Sequence, residues 1–150
     1  MAIVSPDFET AFMNKLSAAL PVSVIIAGAT RNTWCGPVRL AGTTSTPPTP
    51  TPAIFIQSAG GPTDLHNDGR MVQHRIQVLI RYNRDDYAGG EALARAVHDA
   101  MDLVGSFVGP ASEVYMDCRA TSSGPEHLGP GEDDAEYFAE EFLLHAELLR

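Results

Sequence analysis

Alternating apolar and polar side chains at positions 72–82 constrain the fold more than any other feature of this sequence. Successive side chains of a β-strand point to opposite faces, so this pattern predicts a long strand with one buried and one polar face. A sheet of this kind needs an apolar layer on one side only. The side chains predicted to be polar and solvated are Gln73, Arg75, Gln77 and Arg81. His74 falls on the buried face, where we interpret it as a hydrogen-bonded core imidazole.

Two segments have the helical period and supply that apolar layer. Apolar side chains recur at three- and four-residue steps over 8–20, and Ser5 followed by Pro6 is typical of a helix start. A second amphipathic helix is predicted to follow Asp86 and to end at Gly105. We interpret both apolar stripes as parts of one core.

Three further segments are predicted to be strands, at 53–58, 113–120 and 135–149. The last is ambiguous, because its Ala, Glu and Leu residues favour helix, whereas its alternation favours a strand, which is our interpretation. The polar side of the middle segment carries Glu113, Tyr115, Asp117 and Arg119. The sequence leaves open whether 22–27 and 34–40 are additional short strands. The predicted fold is therefore α+β, a mainly antiparallel four-stranded sheet with two helices packed on one face.

The length and composition fit a single domain over residues 1–150. A chain of 150 residues, 44% of them hydrophobic, buries one sizeable core. The run at 42–52 is rich in Pro and Thr, which predicts an extended loop within the domain, and a second loop is predicted at 121–134. No apolar run approaches the roughly 20 residues that span a bilayer. Because the N-terminus also lacks the basic start of a secretory signal, we expect no membrane partner.

No constellation of catalytic or ligand-binding residues emerges from the sequence. It has no glycine-rich phosphate loop between a strand and a helix and no Gly-x-Ser-x-Gly elbow, and its five histidines are scattered. Cys35 and Cys118 do not have the spacing of a metal motif. We therefore expect no catalytic residue, no cofactor and no metal, and we expect the protein not to be an enzyme. The alternative from another class is a small α+β hydrolase or binding domain that uses His74 or His145.

The net charge of −9 restricts the partners of the protein. Binding to the outside of DNA or to an anionic membrane requires a positive face, which this composition does not favour. A passage through which DNA slides is compatible with the charge, because a repulsive wall would keep DNA from sticking.

Three segments resemble those of a known family. The strand at 72–82 reads Val-Gln-His-Arg-Ile-Gln-Val-Leu-Ile-Arg-Tyr, and an Ala- and Leu-rich helix follows at 92–101. The run Gly-Pro-Glu-His-Leu-Gly-Pro-Gly-Glu-Asp-Asp at 124–134 then precedes the last predicted strand. This order is similar to that of the tail-terminator proteins of long-tailed bacteriophages, also called minor capsid or tail-completion proteins. The resemblance covers residues 5–149 and is most specific over 52–149, whereas 22–51 departs from it because the relatives have a shorter loop there.

The resemblance implies a structural role in the virion. Tail terminators form a ring, usually of six subunits, that caps the tail tube, ends its elongation and meets the head connector. The expected partners are copies of the chain itself, the tail tube protein and the head-tail connector or stopper protein, with DNA only as cargo through the lumen. The expected location is the tail and neck of the virion, assembled in the host cytoplasm. The alternative within this class is another neck or head-tail connector protein, or a tail-tube subunit.

A closed ring needs two different, complementary surfaces on each subunit. We predict that the polar strand face with Gln73, Arg75, Gln77 and Arg81 supplies one of them, and that the acidic loop with Glu126, Glu132, Asp133 and Asp134 supplies the other. Pairs of Arg75 or Arg81 with a neighbour's acids would fix the register more than they add affinity. Ordinary solvated faces explain the same residues equally well.

Overall fold

The computed structural model of the protein describes residues 8–20, 33–35, 52–59, 71–110, 112–130 and 135–147. Its helices are α1 (Phe8–Ala19) and α2 (Tyr87–Met101). Its strands are β1 (Thr33–Cys35), β2 (Ala53–Ser58), β3 (Met71–Asn83), β4 (Phe107–Val108), β5 (Val114–Ala120), β6 (Glu126–Pro130) and β7 (Ala135–Glu147). These strands form one sheet in the order β1-β2-β3-β7-β5-β4, and β6 also pairs with β7. Among these pairs only β1 and β2 run parallel.

The centre of the sheet is the antiparallel pair of β3 and β7. Both strands have 13 residues and pair along their whole length, from Met71 opposite Glu147 to Asn83 opposite Ala135. The other edge of β7 pairs with β5 along its C-terminal half and with β6 along its N-terminal half. Between β5 and β6 the chain leaves the sheet at 121–125. At the start of this excursion the backbone N–H of Thr121 donates to the carbonyl of Glu141, at 2.9 Å. The sheet therefore has a gap beside the middle of β7.

Both helices pack on one face of the sheet and form the core with it. Their buried side chains meet those of β3, β5 and β7, and the ring centroids of Phe12 and Phe142 lie 5.2 Å apart. Burying each large apolar side chain of this kind contributes about 1.5–3 kcal/mol. The side chain of Asp86 caps α2 by accepting from the N–H of Gly89 at 3.1 Å. Gly90 then lets the helix approach the sheet, because a Cβ at this position would lie 2.3 Å from the ring of Tyr82.

The predicted α+β fold with two helices and a mainly antiparallel sheet is confirmed. The four predicted strands are β2, β3, β5 and β7, which are adjacent in the sheet, and the ambiguous C-terminal segment is a strand. Three short strands enlarge this sheet beyond the predicted four, and one of them, β1, falls at the edge of the uncertain 34–40 segment. The helix α2 ends at Met101, with Asp102 as its C-cap, and so stops before Gly105.

The predicted loop at 121–134 contains a strand, β6. Its Gly and Pro residues have low strand propensity, so the local pattern did not indicate a strand. The edge of β7 provides the backbone partners, with Glu126 opposite Ala139 and Pro130 opposite Glu136. Tertiary pairing therefore overrides local preference in this segment.

A β-bulge changes the predicted faces of β5. The register with β7 shifts between Tyr115 and Asp117, which leaves Met116 45% exposed. Tyr115 consequently lies in the core, and its hydroxyl donates to Oε2 of the fully buried Glu113 at 3.0 Å. The prediction that Glu113 and Tyr115 lie on the polar face is wrong, because an extra residue in one strand reverses the alternation before it.

Several sequence-based expectations lie outside the described residues. They concern the helix start at Ser5 and Pro6, the segment 22–27, the Pro/Thr-rich loop at 42–51, and the acids Glu132, Asp133 and Asp134. Within the described ranges, neither helix is long and apolar enough to cross a membrane.

Candidate subunit interface

The face of the sheet opposite the helices, called here the polar face, carries four of the five predicted interface residues that the structure describes. Gln73 and Gln77 are half-buried on it, and Arg75 is exposed. The neighbouring strand β7 places His145 and Glu141 opposite Gln73 and Gln77. The predicted positions of these three side chains on one polar strand face therefore agree with the structure.

A chain of polar contacts joins three adjacent strands on this face. The amide nitrogen of Gln73 lies 2.9 Å from Nε2 of His145, whose Nδ1 lies 2.5 Å from Oδ1 of Asp117. Asp117 also faces Arg119, with Nη2 and Oδ2 3.7 Å apart. A neutral imidazole satisfies both contacts when Nδ1 donates to the carboxylate and Nε2 accepts from the amide. The imidazole nitrogen that a general base would use is then occupied by Gln73.

Arg75 is held only weakly within its own chain. Its Nη1 lies 3.9 Å from Oε2 of Glu141, and its Nη2 donates to the carbonyl of Ala59 at 3.2 Å. Both partners of this ion pair are more than a third exposed, and such pairs contribute little to stability. Gln77 beside them accepts a short hydrogen bond from the amide of Gln57. The contacts of Arg75 can therefore be exchanged for those of a partner at small cost.

Arg81 departs from its predicted exposure on the polar face. It is 5% exposed, and its guanidinium lies above the ring of Phe55, 5.4 Å from the centroid. Phe55 forms a small apolar cluster with Ala53 and Leu79 on the same face. A guanidinium is weakly hydrated and stacks well on an aromatic face, which explains its burial there. Arg81 is therefore a buried group in this chain. Leu79 interrupts the alternation on the polar side of β3, and it is the sequence feature that could have indicated this apolar cluster.

Glu126 lines a cavity that sequence reasoning missed. The cavity, called here the notch, lies at the gap between β5 and β6 and has a volume of about 260 Å³. Its lining residues are Gln77, Thr121, Ser122, Glu126, Ala139, Glu140 and Glu141. Two predicted interface residues, Gln77 and Glu126, are therefore neighbours on one surface. The segment at 121–125 was interpreted as a plain loop, so its sequence contained no signal for the notch.

Glu140, in the wall of the notch, is buried in the single chain. It is 3% exposed, and neither carboxyl oxygen has a hydrogen-bond partner among the residues that the structure describes. Burial raises the pKa of this carboxyl to about 8, and the negative charge of Asp99 on α2 adds to the effect. Because a buried carboxylate without partners is costly, the protonated form prevails at pH 7.

His74 differs from the hydrogen-bonded core imidazole that the sequence predicted. Its ring stacks on Phe8 with centroids 3.8 Å apart, and its buried Nε2 has no hydrogen-bond partner within the described ranges. Burial lowers the pKa of His74, the charge of Glu9 opposes this effect, and Arg75 adds to it. Aromatic stacking therefore holds this ring in place of the predicted hydrogen bond.

A second polar cluster lies where β6 joins β7. The hydroxyl of Tyr82 donates to Oε1 of Glu136 at 2.9 Å, and Nε2 of His127 lies 2.8 Å from that hydroxyl and 3.1 Å from Oε1. The hydrogen bonds from Tyr82 and His127 lower the pKa of Glu136. Burial and the same carboxylate raise the pKa of Tyr82. The cluster ties β6 to the central strands.

The described residues offer no group of three or more His, Cys, Asp or Glu side chains that could hold a metal ion. Cys118 is buried, and Cys35 is exposed with its thiol 3.8 Å from the sulfur of Met13. Burial raises the pKa of the Cys118 thiol, which keeps it in the unreactive protonated form.

Comparison with known proteins identifies a shared fold. No protein-family model matches the sequence, and no curated protein matches it. Among solved structures, the fold is similar to that of a chain in the virion of a native gene transfer agent particle. The alignment covers 93% of both chains, with a TM-score of 0.60 and 18% sequence identity. At this identity the similarity establishes the fold alone.

Proposed function

We propose that the protein is a structural virion assembly protein that forms a ring at the end of a phage-like tail. In this role it caps the tail tube, ends tail elongation and provides the interface to the head connector. The observation that carries the proposal is the fold shared over 93% of both chains with a component of a gene transfer agent virion. The sequence resemblance of the segments at 72–82 and 124–134 to tail terminators supports the finer assignment.

The polar face has the properties that a ring contact requires. Subunits in a closed ring meet through two different surfaces. The contacts within each surface must break at a small cost in free energy when the neighbouring subunit binds. The exposed pair of Arg75 and Glu141, 3.9 Å apart, meets this condition. Glu132, Asp133 and Asp134 remain proposed members of the complementary surface.

The charge of the chain suits a ring through which DNA passes. A net charge of −9 per subunit repels the phosphate backbone, so DNA is proposed only as cargo. The proposed partners are further copies of the chain, about six to a ring, together with the tail tube protein and the head-tail connector. The proposed location is the virion, after assembly in the host cytoplasm, and no catalytic role is proposed.

Electron microscopy of particles made with this reading frame interrupted tests the proposal. Overlong tails beside unattached, DNA-filled heads are the expected result, because nothing would then end tube growth or join the two parts. Tails of normal length beside leaking heads would assign the protein to the connector. Fully normal virions would overturn the proposal.

The purified protein distinguishes a terminator from a tube subunit. Negative-stain microscopy and native mass spectrometry at increasing concentration should show monomers and closed rings of one size. Long filaments would instead identify a tail-tube subunit, because a tube subunit offers the same stacking surface on every layer.

A further inference from the structure

The large apolar side chains that are exposed within the described ranges fall into two groups. All of them have between 45% and 79% of their surface exposed. The first group, called here the edge patch, consists of Leu103, Val108 and Met116 and lies along β4 and β5. The second, called here the end patch, consists of Tyr87 at the start of α2 and Leu128 on β6. Single apolar residues scattered over a surface need no explanation, whereas grouped ones mark contact sites.

Backbone pairing holds two members of the edge patch in place. Val108 lies opposite Val114, two residues before Met116 on β5. The ring of Phe107 stacks on that of the buried Tyr115, with centroids 4.9 Å apart. Because successive side chains of a strand alternate between the two faces, Val108 points away from the core. Both exposed side chains are therefore carried by paired strands and are ordered before any partner binds.

Leu103, the third member, has a backbone conformation that leucine rarely adopts. Its φ is 60°, in the left-handed region that is unfavourable for a branched side chain and is usually occupied by glycine or asparagine. Val104 and Cys118 fix this conformation by exchanging backbone hydrogen bonds at 3.1 and 3.0 Å. The carboxylate of Asp102 also accepts from the N–H of Ala120 at 2.9 Å. Since the side chain is mostly exposed, its presence at this unfavourable position indicates a role in contact with another molecule.

The end patch lies about 30 Å from the edge patch, at the other end of β7. The partner of Val114 on β7 is Glu147, and that of His127 is Phe138. These two positions on β7 are nine residues apart, which gives the distance of about 30 Å in a strand. The ring of Tyr87 packs against those of His127 and Phe138, with centroids 5.4 and 5.6 Å apart. The two patches are therefore separate surfaces of one chain.

Two cations border the edge patch. The ammonium group of Lys15 on α1 lies 5.8 Å from the ring centroid of Phe107. Arg119, which follows Cys118 on β5, is 54% exposed, and its guanidinium lies 3.7 Å from the carboxylate of Asp117. Exposed ion pairs of this kind are weak, so Arg119 can also contact a partner. The edge patch thus combines apolar surface with positive charge.

Acids border the end patch. Asp85 and Asp86 directly precede α2, and Glu126 begins β6; all three are exposed. They outnumber the neighbouring base Arg84. The sequence that links β6 to β7 contains three further acids, at 132–134. The end patch and the edge patch are therefore both apolar, and the charges beside them are opposite in sign.

We propose that the edge patch of one copy of this chain docks against the end patch of the next copy. The inference rests on the proposed function, because a closed head-to-tail ring requires two different, complementary surfaces on each subunit. Copies that each carry a net charge of −9 repel one another, so their association needs apolar burial and local pairs of opposite charge. The contact between the two patches supplies both. A contact of the end patch with itself would instead bring its acids together.

Removing each patch separately, without changing the charge, tests the contact. The edge variant is Leu103→Asn/Val108→Thr/Met116→Gln, the end variant is Tyr87→Gln/Leu128→Gln, and the control is Arg95→Lys on the exposed side of α2. Sedimentation velocity of the full-length proteins at increasing concentration measures their association. We expect both variants to associate at least roughly tenfold more weakly than wild type, because large apolar side chains no longer become buried. The control should match wild type, and variants that also match it would overturn the proposal.

Thermal unfolding separates a lost contact from a damaged fold. Leu103→Asn alone should keep or raise the unfolding midpoint, because asparagine tolerates the left-handed backbone, and it should still weaken association. Leu128→Gln alone provides the same check for the end patch without touching the ring of Tyr87. Normal association of both single variants would contradict the proposed anchors.

Mixing the edge variant with the end variant tests the head-to-tail pairing itself. Each variant alone should stay monomeric in native mass spectrometry. An equimolar mixture should form a dimer with one copy of each and nothing larger, because only one intact pair of patches remains. A mixture that stays monomeric would overturn the pairing of these two patches.

The wild type distinguishes failure of this contact from failure of the ring. Open chains of increasing length that both variants abolish would uphold the contact and refute closure. Closed rings that neither variant weakens would uphold the ring and overturn this contact. A wild type that is monomeric at every concentration would overturn the contact, whereas the role at the tail is decided separately by microscopy of particles made without the protein.

Discussion

Replacing Glu140 by Gln removes an ionisable group that the sheet buries between Phe138 and Phe142 while it keeps the shape of the side chain. The wild-type carboxyl has a pKa of about 8, because burial and, to a smaller extent, Asp99 disfavour its charge. In the unfolded chain its pKa returns to the ordinary value near 4.5. The folded state therefore holds a proton between these pH values that the unfolded chain has released.

The difference between the two pKa values sets the expected magnitude. In that window the free energy of unfolding falls by about 1.4 kcal/mol per pH unit. The contribution of Glu140 is fully present below about pH 4.5 and is lost as the pH rises to about 8. Between pH 5 and pH 8 the wild type should lose on the order of 3–4 kcal/mol relative to the variant. This is a large fraction of the roughly 5–15 kcal/mol that stabilises a domain.

Urea unfolding at pH 5, 6, 7 and 8 measures this effect. The free energies of unfolding of Glu140→Gln and wild type should be similar at pH 5, and the variant should become the more stable protein as the pH rises. The half-exposed Glu91→Gln on α2 serves as the control and should follow the wild type. A constant difference between Glu140→Gln and wild type across this range would show that the carboxyl is already ionised and hydrated in the fold.

Three further substitutions examine the packing and the polar clusters. Gly90→Ala should destabilise the fold by about 1–3 kcal/mol in urea, because its Cβ would lie 2.3 Å from the ring of Tyr82; a gain in stability would mean that α2 sits farther from the sheet. Tyr82→Phe should raise the pKa of Glu136 towards its ordinary value in a carboxyl NMR titration, because the strongest of its hydrogen bonds is lost. The stability linked to that lowered pKa, which wild type loses as the pH falls through it, should shrink in the variant; an unchanged titration would contradict the assigned contact. Asp117→Asn should cost about 1 kcal/mol in thermal unfolding, because His145 loses its charged acceptor, and an unchanged midpoint would show that the contact is absent in solution.

The period of the apolar residues along the sequence correctly predicted the strands that pack one face against the helices. The alternation in β3 and β7 correctly separated a core face from a polar face, because both strands pair without interruption along their full length. It also placed Glu140 on the core side of β7, although it did not indicate that a carboxyl would remain there without a partner. The positions of Gln73, Arg75 and Gln77 on the polar face followed from the same pattern.

Features that depend on neighbouring strands escaped sequence reasoning. The bulge between Tyr115 and Asp117 reverses half of β5, and a period of two assumes that no such residue is inserted. The strand β6 exists because the edge of β7 is available to it. The burial of Arg81 depends on Phe55, which comes from a different strand. The notch arises from the gap between β5 and β6, so it required the three-dimensional pairing and not the composition of 121–125.

The position of β7 also governs when a newly made chain can complete its fold. It is the last strand in the described chain, yet it lies in the middle of the sheet with β3 on one side and β5 and β6 on the other. A nascent or truncated polypeptide that stops before residue 135 leaves β3 and β5 without their shared neighbour. It also lacks the core side chains that β7 supplies, which are Phe138, Phe142, Leu144 and Ala146. Such non-local pairing forms late, after the costly closure of a long loop. The polar face and the notch both include residues of β7. Only a chain translated through β7 can therefore form the two together.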